Sequence, residues 1–334
     1  MPSLKSALIC LLAVPAVALA QSSASIDLLS FASPNAQVVG GVHVTAAKNS
    51  AFGQFLLSQI QSTDANLQNF ITETGVDPRT DLSDVVLIMN SAPSAGPHNG
   101  LIAAHGSFSN SIGTIEASVQ SNGGSVSHLS GVDLIHSGSS ANACVALYTD
   151  AATAVIGDCA SVQAALASAG PNAPTGSPLF TKAVQYRSTQ DLWFSSVAPL
   201  GQFAGAVPGN FNSVLNSNLL QSIQQTSGGV KLTGTSTAQG PAVSLTGEAL
   251  MDTAQNATAL MNVVNFFQSF IQMQSTTDPA ASALITALGG LQTSVNGSTL
   301  TGSVVIPEST LEQLFQTMHQ NANVAQAEVG TLAP

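Results

Sequence analysis

Leu291-Gln292-Thr293-Ser294-Val295-Asn296-Gly297-Ser298-Thr299-Leu300-Thr301-Gly302-Ser303-Val304-Val305-Ile306 sets two strand-like runs on either side of Asn-Gly. Asn-Gly suits a two-residue hairpin because both central residues of a type I′ turn take positive φ. The stretch therefore reads as two antiparallel strands, Leu291 to Val295 and Thr299 to Ile306. A parallel pair would need a crossover of a dozen or more residues. Upstream, Val230 to Thr235 and Ala242 to Leu250 read as strands joined across Gln239-Gly240-Pro241. In the second of these Val243 and Leu245 alternate with Ser244 and Thr246, the pattern of a half-buried strand. Between them and the hairpin, a long helix follows Asp252, with Leu260, Val263, Val264, Phe267, Phe270 and Ile271 on one face. After the hairpin comes a helix with Leu311, Leu314, Phe315 and Met318 in line, and Ser309 and Glu312 spaced as a capping box. Asp191 to Val197 reads as a strand and Asn212 to Ile223 as a helix.

The same order of patterns occurs earlier in the chain. Gln37 to Val44 reads as a strand, followed by helical runs through Phe52, Phe55, Leu56 and Ile60 and through Leu67, Phe70 and Ile71. Strands at Asp84 to Met89 and Leu101 to Phe108, a short helix with Ile112, Ile115 and Val119, and strands from Ser125 to Gly157 come next. A closing helix runs from Cys159 to Ala167, with Asp158 as its cap. Each half thus reads as strand, helix, strand, strand, helix, hairpin, helix. The expected fold is α+β, with two similar halves, each a mainly antiparallel sheet covered on one face by helices. The Gly- and Pro-rich residues 170–178 are the expected linker between a first domain at 21–169 and a second at 179–321, and 322–334 reads as a flexible tail.

Residues 1–20 read as a cleavable signal peptide. Lys5 precedes an apolar run from Ala7 to Ala16, and Ala18-Leu19-Ala20 offers the small-x-small pattern that signal peptidase recognises. Cys10 follows Ile9 inside the apolar core and not a small residue at the cleavage site, so lipid anchoring is not expected. The expectation is an exported protein, periplasmic or extracellular. Cleavage removes Lys5 from 6 basic residues, leaving 5 against 17 acidic ones and a net charge of −12. Nucleic acid and anionic lipid surfaces are poor partners for such a chain, because both require clustered cations. After residue 20 no apolar run reaches membrane-spanning length; Asn262 and Asn265 break the longest, Ala259 to Phe267. Once Cys10 is gone, Cys144 and Cys159 remain and are the expected disulfide, flanking two strand-like runs.

Gly75-Val76-Asp77-Pro78-Arg79-Thr80-Asp81-Leu82 reads as a helix stop and a turn whose carboxylates accept backbone N–H bonds. With this segment and its layout, the chain resembles uncharacterised exported bacterial proteins that carry Gly-x-Asp-Pro-x-x-Asp-Leu before an early strand. The resemblance implies export and a duplicated α+β layout, and no particular activity.

Nucleophile-elbow, zincin, Cys-x-x-Cys, P-loop and dinucleotide motifs do not occur, so no catalytic, cofactor-binding or metal-ligating residue is nominated. His43, His105, His128 and His136 fall on expected strands and read as separate histidines; no spacing brings them to one metal. The acidic pairs Asp81 with Asp84 and Glu308 with Glu312 sit beside element starts and read as caps. Trp193 and Phe194 are adjacent on a strand, so one must point to the core and the other away, which makes them a candidate contact surface. The reading is an exported, non-enzymatic binding protein for an apolar small molecule or an envelope protein. The rivals are a structural or assembly component of the cell envelope and a hydrolase with dispersed catalytic residues.

Overall fold

A computed structural model describes residues 26–59, 65–91, 100–129, 131–136, 138, 142–199, 218–232, 234–238, 240–273 and 279–316. The expected signal peptide and tail lie outside them. The strands are β1 (Val38–His43), β2 (Leu82–Met89), β3 (Gly100–Gly106), β4 (Ser125–Leu129), β5 (Val132–His136), β6 (Ala143–Tyr148) and β7 (Thr153–Asp158). They continue with β8 (Leu192–Ser196), β9 (Ile223–Lys231), β10 (Ser236–Thr237), β11 (Gly240–Met251), β12 (Gln292–Asn296) and β13 (Thr299–Pro307). The described helices are α1 (Val44–Asn49), α2 (Ala51–Gln59), α3 (Ala65–Thr74), α4 (Ile112–Ser121) and α5 (Cys159–Ser168). After these come α6 (Pro178–Arg187), α7 (Asn218–Gln221), α8 (Ala254–Met273), α9 (Pro279–Gly289) and α10 at 308–316.

The fold is α+β, and its strands form one antiparallel sheet of 13 strands, not a separate sheet in each half. The order is β12-β13-β11-β9-β8-β1-β2-β3-β7-β6-β5-β4, with β10 beside β11. The join is β1 against β8, in the register Val38↔Ser196 to Val42↔Leu192. Backbone bonds from His43 N–H to the Asp191 carbonyl (2.7 Å) and from Val197 N–H to the Gln37 carbonyl (2.8 Å) extend it at both ends. The physical reason is that β1 and β8 would otherwise each be an open edge with unpaired N–H and C=O groups.

The expectation of helices on one face is also corrected, since helices pack on both. On one face α5 and α6 enclose the main core with Leu28, Leu29 and Phe31, whose short 3-10 turn begins after the capping Asp27. On the other, α4 covers Ala104, Leu147 and Ala154, while α8 and α9 cover Leu300, Val304 and Ile306. Strands β3 and β7 show why: Ala103 and Val155 lie in the main core while their neighbours Ala104 and Ala154 lie in the cluster under α4, and a strand apolar on both sides needs cover on both. The main core joins Leu28, Val39 and Val155 to Leu179, Phe180 and Trp193, so one core spans the expected linker. Gly170 itself is tied down, accepting from Asp27 N–H and donating to Ser30 Oγ.

The opening hairpin forms, with Val295 opposite Leu300, but Asn296 still pairs with Thr299, so the turn is Gly297-Ser298 and the positive φ (59°) falls on Gly297 and not on Asn296. At the other end of β13, α10 begins at residue 308, so Ser309 lies inside its first turn and not ahead of it as a cap. Glu308 is buried there, and loss of water holds its carboxyl above the usual carboxylate range. A backbone hydrogen bond from Phe52 works against this rise, and Glu312 adds to it. The folded pKa therefore exceeds the unfolded one, and the penalty grows as pH rises from the unfolded value through the folded value. Glu308→Gln keeps an acceptor without the charge. It is expected to raise the urea midpoint at about pH 7 and to leave it unchanged near pH 3, where both states are protonated.

Candidate functional site

Across the β1–β8 join, Trp193 and Phe194 separate as strand geometry requires. Trp193 is 4% exposed in the main core, and Phe194 is 45% exposed on the opposite face. Glycines make room for both rings. A Cβ on Gly41 would lie 2.7 Å from the Trp193 ring, and one on Gly228 would lie 2.9 Å from the Phe194 ring.

The register continues outward from Phe194. Gly40 lies beside it on β1, followed by Leu87 on β2, Ile102 on β3 and Ile156 on β7. Residues paired across antiparallel strands share a face, so these form one lateral apolar row. Leu87, Ile102 and Ile156 are 41%, 43% and 41% exposed. In the other direction the row turns to glycine, through Gly228, Gly247 and Gly302.

Val42, Val85, Leu192, Val230 and Leu245 complete the floor of a shallow groove of about 440 Å³ over β2, β1, β8, β9 and β11. Its lining is almost wholly apolar. Alpha-4 packs on the same face to one side, and α8 with α9 to the other. A second hollow of about 350 Å³ continues along β11 and β13 past Gly247 and Gly302 to Val264 of α8. The groove has the size of a small-molecule site, which spans about 300 to 1,000 Å³. Among its described lining residues the side chains are apolar apart from Thr246.

Leu87, Ile102 and Ile156 were not nominated from sequence. Unbroken apolar runs in β2 and β7 signal a second apolar face, but they do not say which residues of it stay bare.

Most of the other positions singled out have structural partners, the exception being His105 on β3, whose buried Nε2 has no hydrogen-bond partner among the described residues. Cys144 and Cys159 form a disulfide with a Cα–Cα distance of 4.8 Å. The described histidines on strands stand apart from one another: His43 meets Asp84, His128 meets Asp133, and His136 lies beside the disulfide. His43 bridges three elements, with Nδ1 2.5 Å from Asp84 and Nε2–H donating to the Arg187 carbonyl at 2.9 Å. Arg187 in turn pairs with Asp27. His98 lies outside the described residues.

In the Gly75–Leu82 segment, Gly75 takes φ 67° and its N–H bonds the Ile71 carbonyl, closing α3. Asp77 receives two hydrogen bonds from the Arg79 guanidinium, which hold its carboxyl below the usual range. Asp81 accepts the Asp77 N–H at 2.8 Å, so the segment acts as a locked turn into β2. Among the described residues no helix is long and apolar enough to cross a membrane.

No family model matches the chain, and no curated protein matches it. Among solved structures, a crystal structure of TP0453 aligns with a TM-score of 0.46 at 14% identity, over 87% of this chain and 97% of that one. That similarity is below the level at which a shared fold or function follows.

Proposed function

We propose that the protein is an exported, non-enzymatic carrier of an apolar small molecule of the acyl-chain type, held in the groove over the β1–β8 join. The observation that carries this reading is the apolar groove lined by Leu87 and Phe194, whose exposed surface continues sideways on the same sheet face through Ile102 and Ile156. Contiguous apolar surface of this kind is uncommon on a protein with nothing to bind there. Each methylene buried is worth about 0.8 kcal/mol, so ten would supply about 8 kcal/mol before the cost of immobilising the ligand. A net charge of −12 after signal removal suits a neutral tail better than an anionic surface. The disulfide is compatible with export. The strand order read outward from the join is β1-β2-β3-β7-β6-β5-β4 on one side and β8-β9-β11-β13-β12 on the other; the first five strands of each side follow the same order of connection, which supports two similar halves, the first extended by β5 and β4.

The test is binding of a polarity-sensitive fluorescent acyl probe, together with native mass spectrometry of protein taken from its own host. Phe194→Asp places a charge on the groove floor and is expected to weaken probe binding at least about tenfold, equivalent to about 1.4 kcal/mol. Val184→Asp, on an exposed position of α6 over the opposite face, should leave binding unchanged. Equal binding by the Phe194 variant and wild type would overturn the reading. A co-purifying protein in place of a small ligand would favour the envelope-component alternative.

A further inference from the structure

His136 ends β5 directly opposite Cys144 of β6, and the pairing puts both side chains on the same face of the sheet. Cys159 opens α5, whose preceding Asp158 caps the Ser161 N–H at 2.9 Å. The His136 Nδ1 lies 3.2 Å from the Cys144 sulfur and 3.6 Å from the Cys159 sulfur. All three donor atoms fall within 4.8 Å of one another. In tetrahedral zinc, with Zn–S of about 2.3 Å and Zn–N of about 2.0 to 2.1 Å, a nitrogen and a sulfur ligand stand about 3.6 Å apart. Both nitrogen–sulfur spacings are therefore close to those of a metal site while the sulfurs are still bonded to each other. Only the two sulfurs have to part. Cys144 is 1% exposed, whereas Cys159 and His136 are partly exposed and give a route in.

We propose that reduction of the Cys144–Cys159 disulfide opens a His136–Cys144–Cys159 site for a thiophilic cation of the Zn²⁺ type, so that the bridge is the closed state of a metal site. A dithiol supplies the two electrons: one of its sulfurs attacks the bridge, the protein S–S bond breaks, and the reductant leaves as its own disulfide. Both cysteines are then thiols. Metal binding releases one proton from each as two metal–thiolate bonds form. The N-terminus of α5 favours the thiolate at Cys159. Neutral His136 supplies the third donor through Nδ1, and the fourth position stays open to water or an outside ligand.

The experiment uses the full mature chain, reduced with a phosphine so that no competing thiol is present, and titrated with Co²⁺ as a spectroscopic stand-in. Expected is a thiolate-to-cobalt charge-transfer band that saturates at one ion per chain, disappears when Zn²⁺ is added, and is absent from the oxidised protein. Cys144→Ser and Cys159→Ser should each abolish it. His136→Ala keeps both thiols and should weaken binding about tenfold or more, since losing a ligand costs no less than losing an outer-shell partner. Emission from the buried Trp193 monitors the fold throughout. No band in reduced protein, equal affinity in His136→Ala, or a Trp193 emission shift showing that reduction unfolds the chain would each overturn the proposal.

Discussion

Gly41→Val is expected to cost about 3 kcal/mol or more, the upper end of what overpacking removes from a core. The first atom of any side chain at this position would lie 2.7 Å and 2.8 Å from the Trp193 ring and 2.9 Å from the Val85 carbonyl. The ring cannot retreat easily, because Trp193 belongs to the same buried cluster as Phe180, Ala183 and Tyr186. The backbone cannot move without disturbing pairing to β2 and β8 together. Gly247→Ala is the internal control, with no atom nearer than 3.8 Å to its new Cβ. That change should be neutral or slightly stabilising, since alanine gives up less backbone entropy than glycine. Urea unfolding of the two variants beside wild type separates these outcomes.

The double substitution Cys144→Ala, Cys159→Ala is expected to cost a similar amount. The bridge spans a sequence separation of 15, and closing a loop of that length is worth about 3 kcal/mol in the chain-entropy model. Because the effect acts mainly on the unfolded chain, the urea midpoint should fall while the slope of unfolding steepens. Wild type reduced with a phosphine in metal-free buffer should follow the variant's curve. An unchanged midpoint in both would show that the bridge does not constrain the unfolded chain.

Local chemistry was the legible part of this sequence. Asn296-Gly297 announced its hairpin, Asp158 its cap on α5, and the Cys144 and Cys159 runs their pairing, because each depends on residues close in sequence. Alpha-6 was hidden because Pro178, read as the end of a linker, is a favoured first residue of a helix. Beta-9 was partly missed as well. Gln224-Gln225-Thr226-Ser227-Gly228-Gly229 shows no apolar alternation, and a helix was expected as far as Ile223. Its small residues answer to neighbours that are distant in sequence: Phe194 over Gly228, and Gln190 against Gly229. The union of the two halves into one sheet was hidden for the same reason. Edges that pair across more than a hundred residues leave no periodic mark on either strand. The candidate site inherits that limit, since Phe194 was singled out but its companions Leu87, Ile102 and Ile156 depend on which part of a face the helices leave bare.

The β1–β8 join also bears on when the protein becomes competent. It pairs Gly40 with Phe194, so half of the groove floor waits on a contact between residues far apart in the chain. Contacts of that range form late, after local hairpins such as β12–β13 have closed, because the entropy of the long loop opposes them until other structure holds the ends near. A chain that emerges N-terminus first presents β1 with its partner edge empty until β8 arrives. Through that interval both edges are open to pairing with other chains, and the binding surface is completed by the same event that protects them.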